Sequence, residues 1–146
     1  MSRTSVALGL GHGTNYAFHA LLEIAQAPQP LTAIEVADAL GVPAPYMAKL
    51  LQRLAHAGLV KGRRGRKGGY SLGRDAHEMT LWDVALAVSE GWMRNSPSLD
   101  LPSCANCPLA NRCPLKSVML GLQGQVERAF KGITVGAVLA QLTPRE

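Results

Sequence analysis

All three cysteines of the chain fall within ten residues, "CANCPLANRC" (104–113), spaced C-x2-C-x5-C. Thiolates this close together can hold a metal ion, hold an iron–sulfur cluster, or act as a thiol switch. A four-ligand zinc site usually shows two ligand pairs, and "CANC" is one; no histidine follows Cys113, the four histidines being His12, His19, His56 and His77. An iron–sulfur cluster fits the spacing. Thiolates are its natural ligands, and a non-cysteine fourth ligand raises its potential and its lability, which suits a sensor. Pro108 and Pro114, each directly after a cysteine, stiffen the loop that must arrange the sulfurs. The chain is expected to be cytoplasmic, and an odd number of cysteines in a reducing compartment argues against a disulfide framework and toward metal or redox chemistry.

The second chemical feature is cationic. "KGRRGRK" (61–67) carries five of the fifteen Lys+Arg, leaving ten basic against ten acidic residues elsewhere. A concentrated positive patch on an otherwise balanced chain points to a polyanionic partner, with a merely solvated basic loop as the plain alternative. Catalysis finds no support: Asp83 and Glu90 have no nucleophile motif beside them, and His56 and His77 belong to no triad pattern. No apolar run reaches the roughly 18 residues of a membrane span.

These residues need elements to position them. With 146 residues, 47% hydrophobic and 17% charged, the chain can bury a core. "TNYAFHALLEIAQA" predicts a helix capped by Thr14 and ended by "APQP" (27–30). "TAIEVADALG" opens on a T-x-x-E capping box, Thr32 with Glu35, and stops at Gly41. After a four-residue break, "PYMAKLLQRLAHAG" begins with Pro45 in its first turn and ends at Gly58. Its Met47, Leu50, Leu51 and Leu54 recur at helical spacing and face the core, leaving Tyr46, Lys49, Gln52, Arg53 and His56 nearer the outside. "LVK" and "GYSL" read as short strands around the loop "GRRGRKG". Helix, tight turn, helix and basic hairpin is the order of a winged helix-turn-helix.

Beyond the wing, Thr80 opens "TLWDVALAVSE", with Leu81, Val84, Ala85 and Val88 inward, and 91–103 is loop by composition. From Pro114 an apolar stripe of Leu115, Val118, Met119, Leu122, Val126, Ala129, Phe130 and Ile133 predicts a long helix. Pairing with a second copy is its preferred use; packing on the chain's own winged unit is the alternative. "TVGAVLAQL" ends the chain as a short helix. The expected fold is mostly α with a small β-hairpin wing: a winged helix-turn-helix DNA-binding domain (1–90), a cysteine loop for the cluster (91–113), and a dimerisation helix with a C-terminal helix (114–146).

In such a fold the N-terminal part of the second helix enters the major groove. Here it offers Pro45 and Tyr46, with Lys49 and Arg53 further along, and few amide or carboxylate base readers. Thr32 can meet a phosphate at the preceding helix start. Much of the affinity for double-stranded DNA is therefore expected from Arg63, Arg64, Arg66 and Lys67, where an arginine at the hairpin tip can enter a narrow minor groove. Tyr46 and Tyr70 serve equally well as packing residues at the edge of the core.

The residues resemble the Rrf-type bacterial regulators that include IscR and NsrR. The resemblance runs through "TNYAFHALL", "GVPAPYMAKLLQRLAHAGLVKGRRGRKGGYSLGRD", "MTLWDVALAV" and "CPLKSVML" and so covers nearly the whole chain. It implies a homodimer with crossed long helices, winged-helix binding to a DNA operator and, in many members, a [2Fe-2S] or [4Fe-4S] cluster. On it, Cys104, Cys107 and Cys113 match the ligand positions, and Arg64 matches the wing arginine of the minor groove. The IscR type has a histidine where this chain has Lys116. Other members take a fourth ligand from the first helix of the opposite subunit, matching Asn15 and His19. Asn15 is a poor iron ligand and His19 carries the right donor, so the expected set is three cysteines of one subunit with His19 of the other; a plain polar residue at the dimer boundary is the alternative for His19. The expected function is transcriptional regulation switched by a cluster that senses iron, nitric oxide or redox state. The alternatives are a cluster-free regulator using thiol oxidation or a small ligand, and a zinc-stabilised protein adaptor.

Overall fold

The computed structural model describes residues 12–89, 107–109 and 112–142. The elements are α1 (His12–Gln26), α2 (Ala33–Leu40), α3 (Ala44–His56), β1 (Val60–Arg63), β2 (Gly69–Leu72), a 3-10 turn at Ala76–Glu78, α4 (Leu81–Val88), α5 (Pro114–Lys131) and α6 (Val135–Leu139).

Local chemistry sets most boundaries. Thr32 accepts from the Glu35 N–H, and Glu35 accepts from the Thr32 N–H at 2.7 Å, so α2 opens on the expected capping box. Gly41 closes α2 in the left-handed region at φ 68°. Pro43 occupies the N-cap position of α3 without a side-chain cap bond, and Pro45 sits in its first turn. Thr80 and Asp83 form a second capping box, at α4. Thr14 does not cap α1. It lies inside that helix, buried, with the apolar side chains Ala17, Leu21 and Ile24.

The core gathers Ala17, Ala20, Leu21 and Ile24 of α1, Val36 and Ala37 of α2, Met47, Leu50, Leu51 and Leu54 of α3, and Val84 and Val88 of α4. On α4 the inward face is broader than the pattern indicated: Trp82 and Ala87 are buried too, and Leu81 is half-buried. The hairpin is antiparallel, with Val60 opposite Leu72 and Arg63 opposite Gly69. Its second strand makes a further bridge, Leu31 exchanging both backbone hydrogen bonds with Tyr70. The wing is thereby pinned to the segment entering α2. Gly69 permits this: φ is 144°, and a Cβ there would stand 2.7 Å from the Leu31 carbonyl carbon.

The long helix divides its stripe between two uses. Phe130 packs edge-on against Phe18 of α1, with centroids 6.5 Å apart, and joins a small cluster with Trp82, Ala85 and Leu86. Just beyond, Leu81 donates to the Ile133 carbonyl and Val135 to that of Met79, fixing the end of the helix to the start of α4. The N-terminal half is uncovered: Leu115 is 60% exposed, Val118 56%, Met119 40% and Leu122 49%.

Candidate nucleic-acid interface and cysteine site

The helix-turn-helix pair is α2 and α3, crossing at the turn Gly41–Pro43 with Val36, Ala37, Met47 and Leu50 buried between them. The amphipathic register of α3 leaves Pro45, Tyr46, Lys49, Gln52 and His56 exposed. Tyr46 is only partly given to solvent: it meets Tyr16 of α1 edge-on at 6.0 Å. Its hydroxyl lies where a methyl on Gly13 would approach to 3.4 Å.

Arg53 has a different place from its neighbours. It is half-buried, and Nη1 donates to the Val88 carbonyl of α4 at 3.2 Å. Thr32 stands exposed at the start of α2; its oxygen takes the Glu35 N–H, and its own hydroxyl hydrogen is still available to a phosphate. Arg63, Arg64, Arg66 and Lys67 are all exposed, Arg63 ending β1 and the other three on the hairpin loop. A turn with Gly68 donating to Gly65, whose φ is 110°, holds that loop. Four cations on a short turn make a strong local positive potential.

Of the cysteines, Cys104 lies outside the described residues. Cys107 and Cys113 are half-buried free thiols. Cys113 occupies the N-cap of α5, directly before Pro114, where the partial positive charge of a helix start favours an anionic group. His19 is exposed on α1, its Nδ1 2.8 Å from the Asn15 carbonyl. A carbonyl only accepts, so Nδ1 is the donor in this contact, and Nε2 takes no part in it. Among the described residues no three His, Cys, Asp or Glu side chains come together as a metal site. The expected set draws Cys104 from outside those residues and His19 from a second copy. Among the described residues no helix is long and apolar enough to cross a membrane.

Nothing in the sequence marked two features of this region. The Leu31–Tyr70 bridge rests on backbone atoms of a single residue pair, and the Arg53–Val88 contact spans 35 positions.

Residues 10–141 match the family described as Rrf2, iron-dependent transcriptional regulator. The transcriptional repressor NsrR of Streptomyces coelicolor is 32% identical over 148 residues, covering 90% of this chain and 94% of the relative. The transcriptional regulator IscR of Vibrio campbellii is 31% identical over 131 residues, covering 85% of this chain and 73% of its own. Among solved structures, the IscR of T. potens superposes with a TM-score of 0.71 at 26% identity, covering 95% of this chain and 96% of that one. The global cysteine regulator CymR of B. subtilis, at 22% identity, shares the fold with a TM-score of 0.70, covering 92% and 98%.

Proposed function

The chain belongs to the Rrf2 family of transcriptional regulators, and from that premise we propose that it is a homodimeric regulator whose hold on its operator is set by an iron–sulfur cluster at Cys104, Cys107 and Cys113. The protein is a DNA-binding winged-helix regulator rather than an enzyme. The observation that carries the DNA-binding geometry is the cationic hairpin pinned by Leu31 and Tyr70 to the segment that enters the helix-turn-helix.

Each subunit presents α3 to the major groove through Pro45, Tyr46 and Lys49, with Thr32 on a flanking phosphate. Arg63, Arg64, Arg66 and Lys67 take the neighbouring backbone, and Arg64 enters the minor groove. The exposed face of Leu115, Val118, Met119 and Leu122 supports pairing of α5 with its counterpart, as a helix of this length keeps such a stripe uncovered only at a cost in apolar hydration.

For the cluster, the donor set fits. Two free thiols precede α5, Cys113 at its N-cap and Cys107 six residues earlier, and the Asn15 carbonyl engages Nδ1 of His19, which leaves Nε2 as the ligating nitrogen, the usual way an outer partner orients a metal-binding imidazole. The family's description as iron-dependent supports the same choice. A bound cluster supplies redox- and ligand-sensitive thiolate chemistry. The chain supplies the coupling: the cysteines directly precede the dimer helix, and a ligand from the partner's α1 ties that segment to the other subunit. The two reading helices must sit about one DNA turn, ~34 Å, apart, so a small rotation of one winged unit against the other changes operator affinity.

Purification without oxygen, followed by visible absorbance and iron and sulfide analysis, tests the reading. A brown protein containing both elements is expected, with His19→Ala altering the spectrum or hastening its decay. A protein that stays colourless after reconstitution refutes the cluster and leaves the thiols to sense alone.

A further inference from the structure

The reading helix packs on α1 and α4 through its buried stripe, and makes one aromatic and one polar contact with them towards its opposite ends. At the N-terminal end Tyr46 packs on Tyr16, and its hydroxyl lies 3.4 Å from where a Cβ on Gly13 would stand, both on α1, the helix that carries His19. At the C-terminal end Arg53 donates to Val88, the last residue of α4. The chain leaves α4 at that point and reaches the first cysteine fifteen residues after Ser89. Seven residues separate Tyr46 from Arg53, about 10 Å along a helix axis at 1.5 Å per residue.

We propose that Arg53 is a positioning residue rather than a DNA contact: it fixes the tilt of the reading helix by tying it to the end of α4 that feeds the cysteine segment. The switching part of this proposal rests on the function proposed above; the tie itself does not.

The physical case begins with what the end of a helix lacks. The last carbonyls of α4 have no intrahelical donors. The Ser89 N–H returns to Ala85, and the Val88 carbonyl is taken by the guanidinium. A charged donor on a carbonyl at the negative end of a helix dipole makes a charge-assisted bond. Arg53 sits beside Leu54 and three residues after Leu50, on the flank of the buried stripe, so its stem runs along the interface before the head crosses to α4. The buried stripe Met47, Leu50, Leu51 and Leu54 seats the helix on the core, and the contacts at its two ends set its tilt on that seat. Anything that moves the end of α4 therefore moves the C-terminal end of α3 while Tyr46 stays anchored.

The competing role, a phosphate contact, leaves a different signature. Removing one phosphate contact per subunit reduces the slope of log K against log salt by about two per dimer and weakens all duplexes alike. Arg53→Met keeps the stem and removes the donors. Its affinity is to be measured, in the full-length protein, for a duplex selected by the wild type from a random pool and for an unselected duplex across a salt series. Amide hydrogen exchange over Ala85–Ser89 is measured without DNA. The expected result is a wild-type salt slope, at least a tenfold loss on the selected duplex, less than a twofold loss on the unselected one, and exchange at the end of α4 accelerated at least tenfold. Arg53→Lys, a compact ammonium without the planar fork, restores part of the protection and part of the affinity. A slope lowered by about two per dimer, or exchange at wild-type rates, overturns the proposal. Arg53→Gln gives the same two readings should the methionine variant not fold. Failure of the regulator reading is separable: the wild type would itself show no salt-dependent duplex binding, while the exchange arm would still report the tie.

Discussion

Leu122→Glu on the uncovered face of α5 is expected to break the dimer. The four stripe residues Leu115, Val118, Met119 and Leu122 keep between 40% and 60% of their surface exposed. Full burial of such a side chain is worth about 1.5–3 kcal/mol, so covering the remaining half contributes about 1 kcal/mol each and about 8 kcal/mol over both subunits. In a symmetric pair every substitution occurs twice. Leu122→Ala therefore costs about 2 kcal/mol and weakens dimerisation about 30-fold, at 1.4 kcal/mol per decade. Glutamate adds the cost of drying two carboxylates in an apolar seam, several kcal/mol more, for a loss beyond about 1,000-fold. Leu122→Met conserves volume and leaves the constant within about tenfold. Sedimentation velocity over a dilution series reads all three. The monomeric variant keeps its fold, loses discrimination between selected and unselected duplex, and halves its salt slope. A Leu122→Glu protein that sediments as the wild-type dimer refutes the assignment of this face.

Gly69→Ala should destabilise the protein by about 2–4 kcal/mol in denaturant unfolding, from a strained φ and loss of the two hydrogen bonds to Leu31; a change below about 0.5 kcal/mol would mean the wing is not tied there. Thr32→Ala should cost about 1 kcal/mol through the lost cap, whereas Thr32→Ser, which keeps the hydroxyl, should restore both stability and duplex affinity. Arg64→Ala should reduce the salt slope by about two per dimer with little change in thermal midpoint, since its side chain is exposed; an unchanged slope removes it from the interface.

Where an element is set by chemistry within four or five residues, the sequence announces it. The pair Thr32 and Glu35, the stop at Gly41 and the glycine-rich turn between the strands all depend on local backbone geometry, and each stands where its spacing places it. Burial is legible only as a demand. The period of the α5 stripe states that Leu122 and Phe130 must both be covered, but not that Phe130 is covered by Phe18 and Trp82 of the same chain and Leu122 is not. Trp82 shows the same gap: a helix facing two neighbours buries residues that a single-face pattern leaves outside. Long-range polar contacts leave no trace at all. Nothing in "QRLAHAG" distinguishes an arginine directed at DNA from one directed at the carbonyl of Val88. The same holds for Thr14, a good capping residue by type that the helix instead buries.

The composition of the reading helix bears on how such a protein can be regulated. Its exposed N-terminal turns hold Pro45, Tyr46 and Lys49, with Gln52 as the one amide, and Tyr46 is partly occupied with Tyr16. A bidentate amide or arginine reader contributes about 1–3 kcal/mol of discrimination per base, and this helix has few. In the proposed dimer, discrimination comes from the joint placement of two reading helices and two arginine-bearing wings on one duplex, with Arg64 as the proposed reader of minor-groove shape. A binder built this way responds little to the loss of one contact and strongly to the angle between its halves. In the proposed dimer the natural point of control is the joint between winged units and long helix, where Cys113 stands at the N-cap of α5 with Cys107 six residues before it.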